Sequence, residues 1–382
     1  MNFRLLVLFG ILLLSVVGYA ALKGPVSFLS WPVSCTGNKP LWLDEVAGTV
    51  KSLGLPGFQL AWRDSEGYDG VCAVGWAGLR GWLDGRLRTD HVMRYASLSK
   101  VFTSAVAMQL VSEGRLSVDA YLVEQLQLSG PFKDERIAKV TIGQLLSHTA
   151  GFDRAISGDP MMTQKMSRVG GDRFLVNARL DHEPGTYYAY ANVGYYLLGL
   201  VIERIEGLPL EQVFRRRLIE PAAASMQVLR SGIYLPGEAQ HGFALQESSE
   251  DLLNFDYGAM IATGAWAGTA EDFLAVLELV FADGSPSVSS EKQGELLQVD
   301  PHCPIGQWRK CHGFGFYKYR EQGCPAIYWR DGSLPGVSSF AGIFDNGTKV
   351  VFLANGRNYD WMPGNDAIGL SLYKVFTRPC SG

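Results

Sequence analysis

Strand patterns lie at both ends of this chain of 382 residues, and helical patterns fill its middle. Residues 57–63 and 70–78 are predicted strands that follow a helix at 42–53. Short aromatic and β-branched strands return at 313–319, 326–330, 337–344 and 349–354, before a last helix at 367–376. Both groups of strands could belong to one sheet that helices cover. We therefore predict an α+β fold (an α/β sandwich): an antiparallel sheet built from N- and C-terminal segments, flanked by helices, with a large and mostly helical insertion at about 115–270.

The composition excludes several classes of protein. Apolar residues make up 47% of the chain and charged residues 19%, which provides ample material for a core and rules out a largely disordered chain. The formal net charge is −4, and the sequence lacks the strongly basic patch that is typical of nucleic-acid binding. We therefore expect a globular protein that does not bind nucleic acid.

An uncharged run at residues 5–22 lies between Arg4 and Lys23. As a helix it would be about 27 Å long, just under the ~30 Å hydrocarbon core of a bilayer. The run is long for the core of a signal peptide, so the sequence favours a membrane anchor at 1–22 over a cleaved signal. A tether at 23–40 and a catalytic domain at 41–380 would follow. Either interpretation exports that domain, to the periplasmic face of the inner membrane or, after cleavage, to the periplasm or the medium.

The chain has six cysteines, an even number that fits disulfides in an exported protein. They are Cys35, Cys72, Cys303, Cys311, Cys324 and Cys380, and their pairing stays open. The neighbouring motifs His302-Cys303 and Cys311-His312 raise the question of zinc, but they lack Cys-x-x-Cys spacing, so a local disulfide is favoured. We expect neither a metal nor an organic cofactor.

A serine and a lysine three residues apart begin a predicted helix at 97–113. This spacing places Ser97 and Lys100 on the same face of a helix. The helix N-terminus supplies free N–H groups, and the lysine can take up the proton of the serine hydroxyl, so Ser97 is a candidate nucleophile. The same spacing recurs at Ser289 and Lys292, which we interpret as surface residues.

Two further motifs would complete such a site. In Tyr190-Ala191-Asn192, the phenol can relay a proton, and the amide can hold a lysine and a substrate carbonyl. Arg330-Asp331-Gly332-Ser333 follows a predicted strand. There the glycine lets the backbone approach a substrate, and the next N–H can face an oxyanion.

These three motifs, in this order, resemble those of the serine β-lactamase and penicillin-binding protein superfamily, and the Tyr-x-Asn form points to its class C branch. Flanking stretches resemble the same branch; they are YASLSKVFTSAVAMQLVSEGRLSVD, TIGQLLSHTAGF, VIERIEGLPLEQVFRRRLIEPAAAS and DGSLPGVSSF. The resemblance covers about 42–377. It is specific for the fold and much less specific for the substrate.

The resemblance implies a role for each candidate residue. Ser97 would be the acylated nucleophile, Lys100 its proton partner and Tyr190 a general base or acid. Asn192 would contact the substrate and the lysine. The oxyanion hole would be formed by the backbone N–H groups of Ser97 and Ser333.

The third motif departs from the usual pattern of the family, which begins with Lys or His. Arg330 keeps the positive charge but cannot release a proton at working pH. If Asp331 paired with Arg330, it would weaken the field available to a substrate carboxylate. We therefore expect poor turnover of β-lactams and better turnover of neutral esters or amides.

The expected function is an exported or membrane-anchored serine hydrolase. It would cleave an ester or amide bond in a small-molecule or peptide substrate through an acyl-serine intermediate. Two alternatives stay open on the sequence alone. One is a β-lactamase or D,D-carboxypeptidase that acts on β-lactams or peptidoglycan peptides, and the other is a catalytically weak penicillin-binding-like sensor or binding protein.

Overall fold

The computed structural model of the protein describes residues 30–244, 246–282, 284–285, 287–299 and 306–380. The strands in this part of the chain are β1 (Val33–Cys35), β2 (Gly57–Arg63), β3 (Asp69–Gly75), β4 (Met93–Arg94), β5 (Gln227–Val228), β6 (Trp266–Gly268), β7 (Cys311–His312), β8 (Tyr317–Tyr319), β9 (Ile327–Leu334), β10 (Val337–Phe344) and β11 (Lys349–Ala354). The α-helices are α1 (Leu43–Ser52), α2 (Lys100–Ser112), α3 (Leu122–Gln125), α4 (Ile142–Leu146), α5 (Pro160–Thr163), α6 (Met166–Val169), α7 (Gly171–Asn177), α8 (Asn192–Glu206), α9 (Leu210–Phe214), α10 (Ser249–Leu253), α11 (Ala270–Phe281), α12 (Ser290–Leu297) and α13 (Trp361–Phe376). Short 3-10 turns lie at Gly81–Leu83, Ala96–Ser99, Glu135–Lys139, Tyr257–Ala259 and Arg378–Cys380, and a π-helical turn lies at Arg215–Ile219.

Eight of the described strands form one antiparallel sheet, in the order β1-β3-β2-β11-β10-β9-β8-β7. The N-terminal and C-terminal strands meet where β2 pairs with β11, with Leu60 opposite Phe352. The predicted fold class, an antiparallel sheet built from both chain ends and flanked by helices, is confirmed. The domain boundaries stay a prediction.

Helices cover both faces of this sheet, which explains why its central strands read as nearly unbroken apolar runs. On one face, α1 and α13 pack against each other and against Phe58, Leu60 and Phe352. On the other face, α11 packs on β2 and β11, and a larger core continues from there into the helices of the insertion. The turn at Ala96–Ser99 contacts β9 and β10 on this second side, so the start of α2 lies against the sheet.

Three boundaries differ from the sequence predictions for physical reasons. Strand β9 continues past residue 330 to Leu334, because β10 pairs with it along its whole length. Helix α13 begins at Trp361 rather than at 367, since Pro363 falls in the first turn, where the backbone N–H has no helical partner to lose. The insertion also supplies β5 and β6, which join β4 in a small second sheet.

The structure does not support the transmembrane helix that the sequence predicts. Among the residues that the structure describes, no helix is long and apolar enough to cross a bilayer. The segment on which that expectation rested, 1–22, lies outside the described residues, as do residues 23–29 of the tether.

Two disulfides join distant parts of the described chain, as the even number of cysteines predicts. Cys35–Cys72 links β1 to β3, and Cys324–Cys380 links the loop before β9 to the C-terminal turn. Cys303 lies outside the described residues, so a local disulfide with Cys311 stays a prediction. Disulfides of this kind are typical of extracellular and periplasmic proteins.

Candidate active site

Ser97 lies in the turn that leads into α2. The preceding residue, Ala96, has a φ of 48°, a conformation that residues other than glycine seldom adopt. Neighbouring hydrogen bonds hold this turn in place. Ser339 Oγ donates to the Tyr95 carbonyl at 2.8 Å, and the Tyr95 hydroxyl donates to the Thr269 carbonyl at 2.9 Å. Both bonds hold the backbone just before Ser97 in place.

The Ser97 hydroxyl lies between a lysine and a tyrosine. Lys100 Nζ donates to Ser97 Oγ at 3.2 Å, and the Tyr190 hydroxyl lies 2.9 Å from the same oxygen. Lys100 is completely buried, and its Nζ also donates to the Thr263 carbonyl at 2.9 Å. Two motifs that are far apart in the sequence thus meet at one oxygen atom.

Burial and charge bring the pKa values of Lys100 and Tyr190 close together. Burial lowers the pKa of Lys100 to about 8, with Arg330 acting in the same direction and Tyr190 opposing it. Burial acts to raise the pKa of Tyr190, but the charges of Lys100 and Arg330 outweigh it and lower this pKa to about 8. A base is most effective when its pKa lies near the working pH, so both groups are suited to proton transfer.

Asn192, the first residue of α8, connects Tyr190 to an acidic residue that was not predicted. The Tyr190 hydroxyl donates to Asn192 Oδ1 at 3.2 Å, and Asn192 Nδ2 donates to Asp159 Oδ2 at 2.6 Å. Because a carboxylate only accepts hydrogen bonds, Asp159 determines which end of the amide faces Tyr190. Asp159 also accepts from Met161 N at 3.0 Å and so caps α5. The Asp-Pro pair signals a helix start, but no pattern in the sequence indicates its contact with Asn192.

Strand β9 brings the third motif to the same place. A Cβ atom on Gly332 would lie 2.7 Å from both Ser97 N and the Tyr95 carbonyl oxygen, so only glycine permits this approach. Ser333 follows on the cavity wall, where Arg357 Nη1 donates to its Oγ at 3.2 Å. The backbone of β9 therefore lies directly against the backbone of the candidate nucleophile.

Arg330 and Asp331 do not pair, so the weakened field that such a pair would cause does not arise. Successive side chains of a strand point to opposite faces. Arg330 is buried beside Tyr190, with its guanidinium carbon 5.1 Å from the ring centroid, and donates to His312 Nε2 at 3.2 Å. Asp331 instead accepts from both terminal nitrogens of Arg309, at 3.1 and 2.7 Å. The charge of Arg330 is therefore directed at the tyrosine and is not neutralised by its neighbour.

A cavity of about 410 Å³ opens beside Ser97. Six of the seven predicted site residues line it, and Lys100 lies buried beneath them; the six are Ser97, Tyr190, Asn192, Arg330, Gly332 and Ser333. The wall also contains arginines and apolar side chains that were not predicted, namely Arg154, Arg309, Arg357, Met162, Phe255, Trp361 and Met362. These residues carry no recognisable motif, and only the fold brings them together.

The sequence model of the family described as Beta-lactamase matches residues 47–371. The chain belongs to the Beta-lactamase family. Among its relatives is a protein of Dichelobacter nodosus named for fimbrial assembly, FimD of serogroup D. It is 30% identical over 344 residues, which are 85% of this chain and 82% of the relative. Penicillin-binding protein 4 of Amycolatopsis lactamdurans is 34% identical over 295 residues, which are 70% of this chain and 73% of the relative.

A solved structure shares the fold of this Beta-lactamase family member. D-amino acid amidase from Ochrobactrum anthropi SV3 superposes with a TM-score of 0.71 at 21% identity, covering 87% of this chain and 98% of that chain. The predicted membership of the serine β-lactamase and penicillin-binding protein superfamily is confirmed, and with it a serine hydrolase fold.

Proposed function

We propose that this protein is an exported serine hydrolase of the class C β-lactamase-related type, which cleaves an ester or amide bond through an acyl-Ser97 intermediate. The observation that carries the proposal is the position of Ser97 Oγ, 3.2 Å from Lys100 Nζ and 2.9 Å from the Tyr190 hydroxyl. A serine hydroxyl is a weak nucleophile until a neighbouring base takes its proton. The two disulfides support an oxidising compartment, the periplasm or the medium.

The proton path follows from these hydrogen bonds. Lys100 donates to Ser97 Oγ, which leaves the hydrogen of Ser97 free to point at the Tyr190 oxygen. When Tyr190 is a phenolate, it takes this proton while Ser97 Oγ forms a bond to the carbonyl carbon of the substrate. The protonated Tyr190 then gives the proton to the departing alcohol or amine as the C–O or C–N bond breaks. Water repeats the sequence and releases the acid.

The carbonyl oxygen gains negative charge during the attack and needs hydrogen-bond donors. The N–H groups of Ser97 and Ser333 are suited to this role, because the missing side chain of Gly332 leaves the two backbones in close approach. Arg330 adds a buried positive charge that favours the phenolate form of Tyr190.

A second candidate function is hydrolysis of β-lactams or D,D-peptides, which the 34% identity to a penicillin-binding protein favours. Our expectation of poor β-lactam turnover rested in part on pairing between Arg330 and Asp331. Asp331 pairs with Arg309 instead, so that part of the argument is withdrawn. What remains of the argument is that Arg330, unlike the lysine or histidine usual at this position, cannot pass on a proton.

Intact-mass measurement with a fluorophosphonate tests the nucleophile. The probe should add one label to the wild type and none to Ser97→Ala. Ser289→Ala is the matched control, because Ser289 and Lys292 have the same spacing but Ser289 is an exposed helix cap, so labelling should persist. Label that remains on Ser97→Ala would reject the proposal.

Two substrates separate the candidate functions. Rapid release of the acyl group of a short p-nitrophenyl ester supports the hydrolase. Rapid release of the penicilloyl group supports the β-lactamase or D,D-peptidase. An adduct that stays on Ser97 with both substrates identifies a binding protein.

A further inference from the structure

A second cavity, of about 490 Å³, lies next to the reaction cavity, and Arg154 lines both. Three more cations line the second cavity: Lys133, Arg173 and Arg179. Within the part of the chain that the structure describes, none of these four side chains has an ion-pair partner. Several exposed arginines elsewhere in this protein, Arg88 and Arg216 among them, pair with carboxylates, whereas four cations without such a pair gather around this cavity.

The acidic residues of the second cavity are already engaged. Asp159 accepts from Asn192 at 2.6 Å, and Asp153 contacts His182 Nε2 at 3.0 Å. The rest of the wall is largely apolar and includes Phe152, Val169, Phe174, Ala191 and Val193. The cavity thus combines a net positive charge with a surface that suits an aliphatic or aromatic group.

Arg154 lies within a short distance of the reacting hydroxyl. Its guanidinium carbon is 4.7 Å from the centroid of the Tyr190 ring, and the Tyr190 hydroxyl is 2.9 Å from Ser97 Oγ. One phenol ring therefore separates the two groups, a span that a substituent of a few carbon atoms can bridge. Arg154 is half-buried, and partial burial strengthens the attraction between opposite charges.

We propose that Arg154, which lines both cavities, binds a negatively charged group on the substrate, which is joined to the scissile ester or amide by a few bonds. A guanidinium suits this task because its two parallel N–H groups match the oxygens of a carboxylate or a phosphate. Lys133, Arg173 and Arg179 reinforce the field, and the apolar wall accepts the carbon skeleton. This inference rests on the proposed function, because it names the substrate class of the same site.

Matched esters test the inference. Mono-4-nitrophenyl glutarate carries a carboxylate on its acyl group, and 4-nitrophenyl pentanoate is its neutral counterpart. We expect the wild type to prefer the glutarate ester through a lower KM, and added salt to weaken that preference because it screens the charges. A second pair, 4-acetoxybenzoate and phenyl acetate, places the carboxylate on the leaving group. A preference in either pair supports the proposal and shows which side of the substrate carries the charge.

Variants assign the preference to Arg154. Arg154→Gln should lower the anionic-to-neutral ratio of kcat/KM by about tenfold or more, since one charge-assisted contact is lost, and Arg154→Lys should restore part of it. Arg173→Gln should have a smaller effect. Arg168→Gln is the control, because Arg168 is exposed on α6 and lines neither cavity.

Competition experiments show which anionic group, a carboxylate or a phosphate, the site prefers. Inorganic phosphate and glutarate are each tested as inhibitors of neutral-ester hydrolysis, and the stronger inhibitor identifies the preferred group. Lack of preference in both ester pairs overturns the inference, as does a ratio that survives Arg154→Gln in protein with a native circular-dichroism spectrum. If that variant does not fold, a wild-type preference that salt leaves unchanged overturns it. In all these cases, hydrolysis of the neutral ester that depends on Ser97 still supports the proposed function. If Ser97 does not become labelled, the proposed function itself is rejected.

Discussion

The charge of a single buried side chain, Arg330, contributes to the pH at which this site can work, alongside burial and the charge of Lys100. It acts on both candidate bases, lowering the pKa of Lys100 and of Tyr190. Without that charge both pKa values rise, and the base is deprotonated only at higher pH. We expect Arg330→Met to move the rising limb of the kcat/KM profile for an ester from about pH 8 to higher pH. Activity near pH 7 should therefore fall more than activity near pH 10.

A pH-rate profile over this range checks that expectation. Arg330→Lys, which keeps a positive charge at the same position, should shift the limb much less. A limb that stays near pH 8 in Arg330→Met would mean that Arg330 does not control the proton transfer.

The absence of a side chain at Gly332 controls the distance between Ser97 and strand β9. The Cβ of Gly332→Ala would lie 2.7 Å from Ser97 N, and backbone atoms on both sides cannot yield locally. We expect acylation by a fluorophosphonate to slow by about 100-fold, because a displacement of about 1 Å costs this much. The unfolding free energy should fall by about 1–3 kcal/mol. Gly48→Ala in α1 is the control, since nothing lies within 4 Å of the added Cβ, and its acylation rate should match the wild type.

At the scale of elements, the start of α5 and the start of α8 support each other through Asp159 and Asn192. The carboxylate caps one helix and orients the amide on the other. In Asp159→Ala the amide is free to turn and donate its N–H₂ group to the Tyr190 phenolate, which makes the phenolate a weaker base, so we expect kcat/KM to fall about tenfold. Ser248→Ala removes the cap of α10 without touching the site. If both variants lose the same activity, the effect of Asp159 comes from stability alone.

The strands of the large sheet show which parts of this fold can be predicted from the sequence. Periodicity was sufficient for β2, β10 and β11, since each is a short apolar run bounded by turn residues. It predicted the first half of β9 but was insufficient for the rest, because the polar and glycine positions at 331–333 look like a loop. That segment is a strand because β10 pairs with it, and its glycine is explained only by the approach of Ser97 N. Long-range pairing is a property of the fold, and local patterns do not contain it.

For the whole molecule, the motifs predicted which residues meet but not what surrounds them. Ser97 and Lys100 lie at the start of α2, and Tyr190 lies just before α8. They come together because both helix starts lie near strand β9, on one side of the sheet. Their roles stay predictions until the nucleophile is labelled. Arg154 and Asp159 could not be predicted, because they lie in loops and act through partners that are distant in sequence. The resemblance to a family predicted the residues around Ser97, but it does not specify the loop residues beside them.

The two disulfides act on the molecule as a whole. Cys35–Cys72 and Cys324–Cys380 span sequence separations of 37 and 56 residues. In a chain-entropy account, closing loops of this size removes about 4 kcal/mol of conformational freedom from the unfolded chain, and native proteins commonly retain about 2–4 kcal/mol of this as stability. None of the four cysteines lines the reaction cavity. We therefore expect Cys35→Ala/Cys72→Ala and Cys324→Ala/Cys380→Ala each to lose about 2–4 kcal/mol in urea denaturation, with the rate of Ser97 labelling unchanged without urea. A double variant of normal stability that labels slowly would contradict this, because its disulfide would then hold the site in place rather than restrict the unfolded chain.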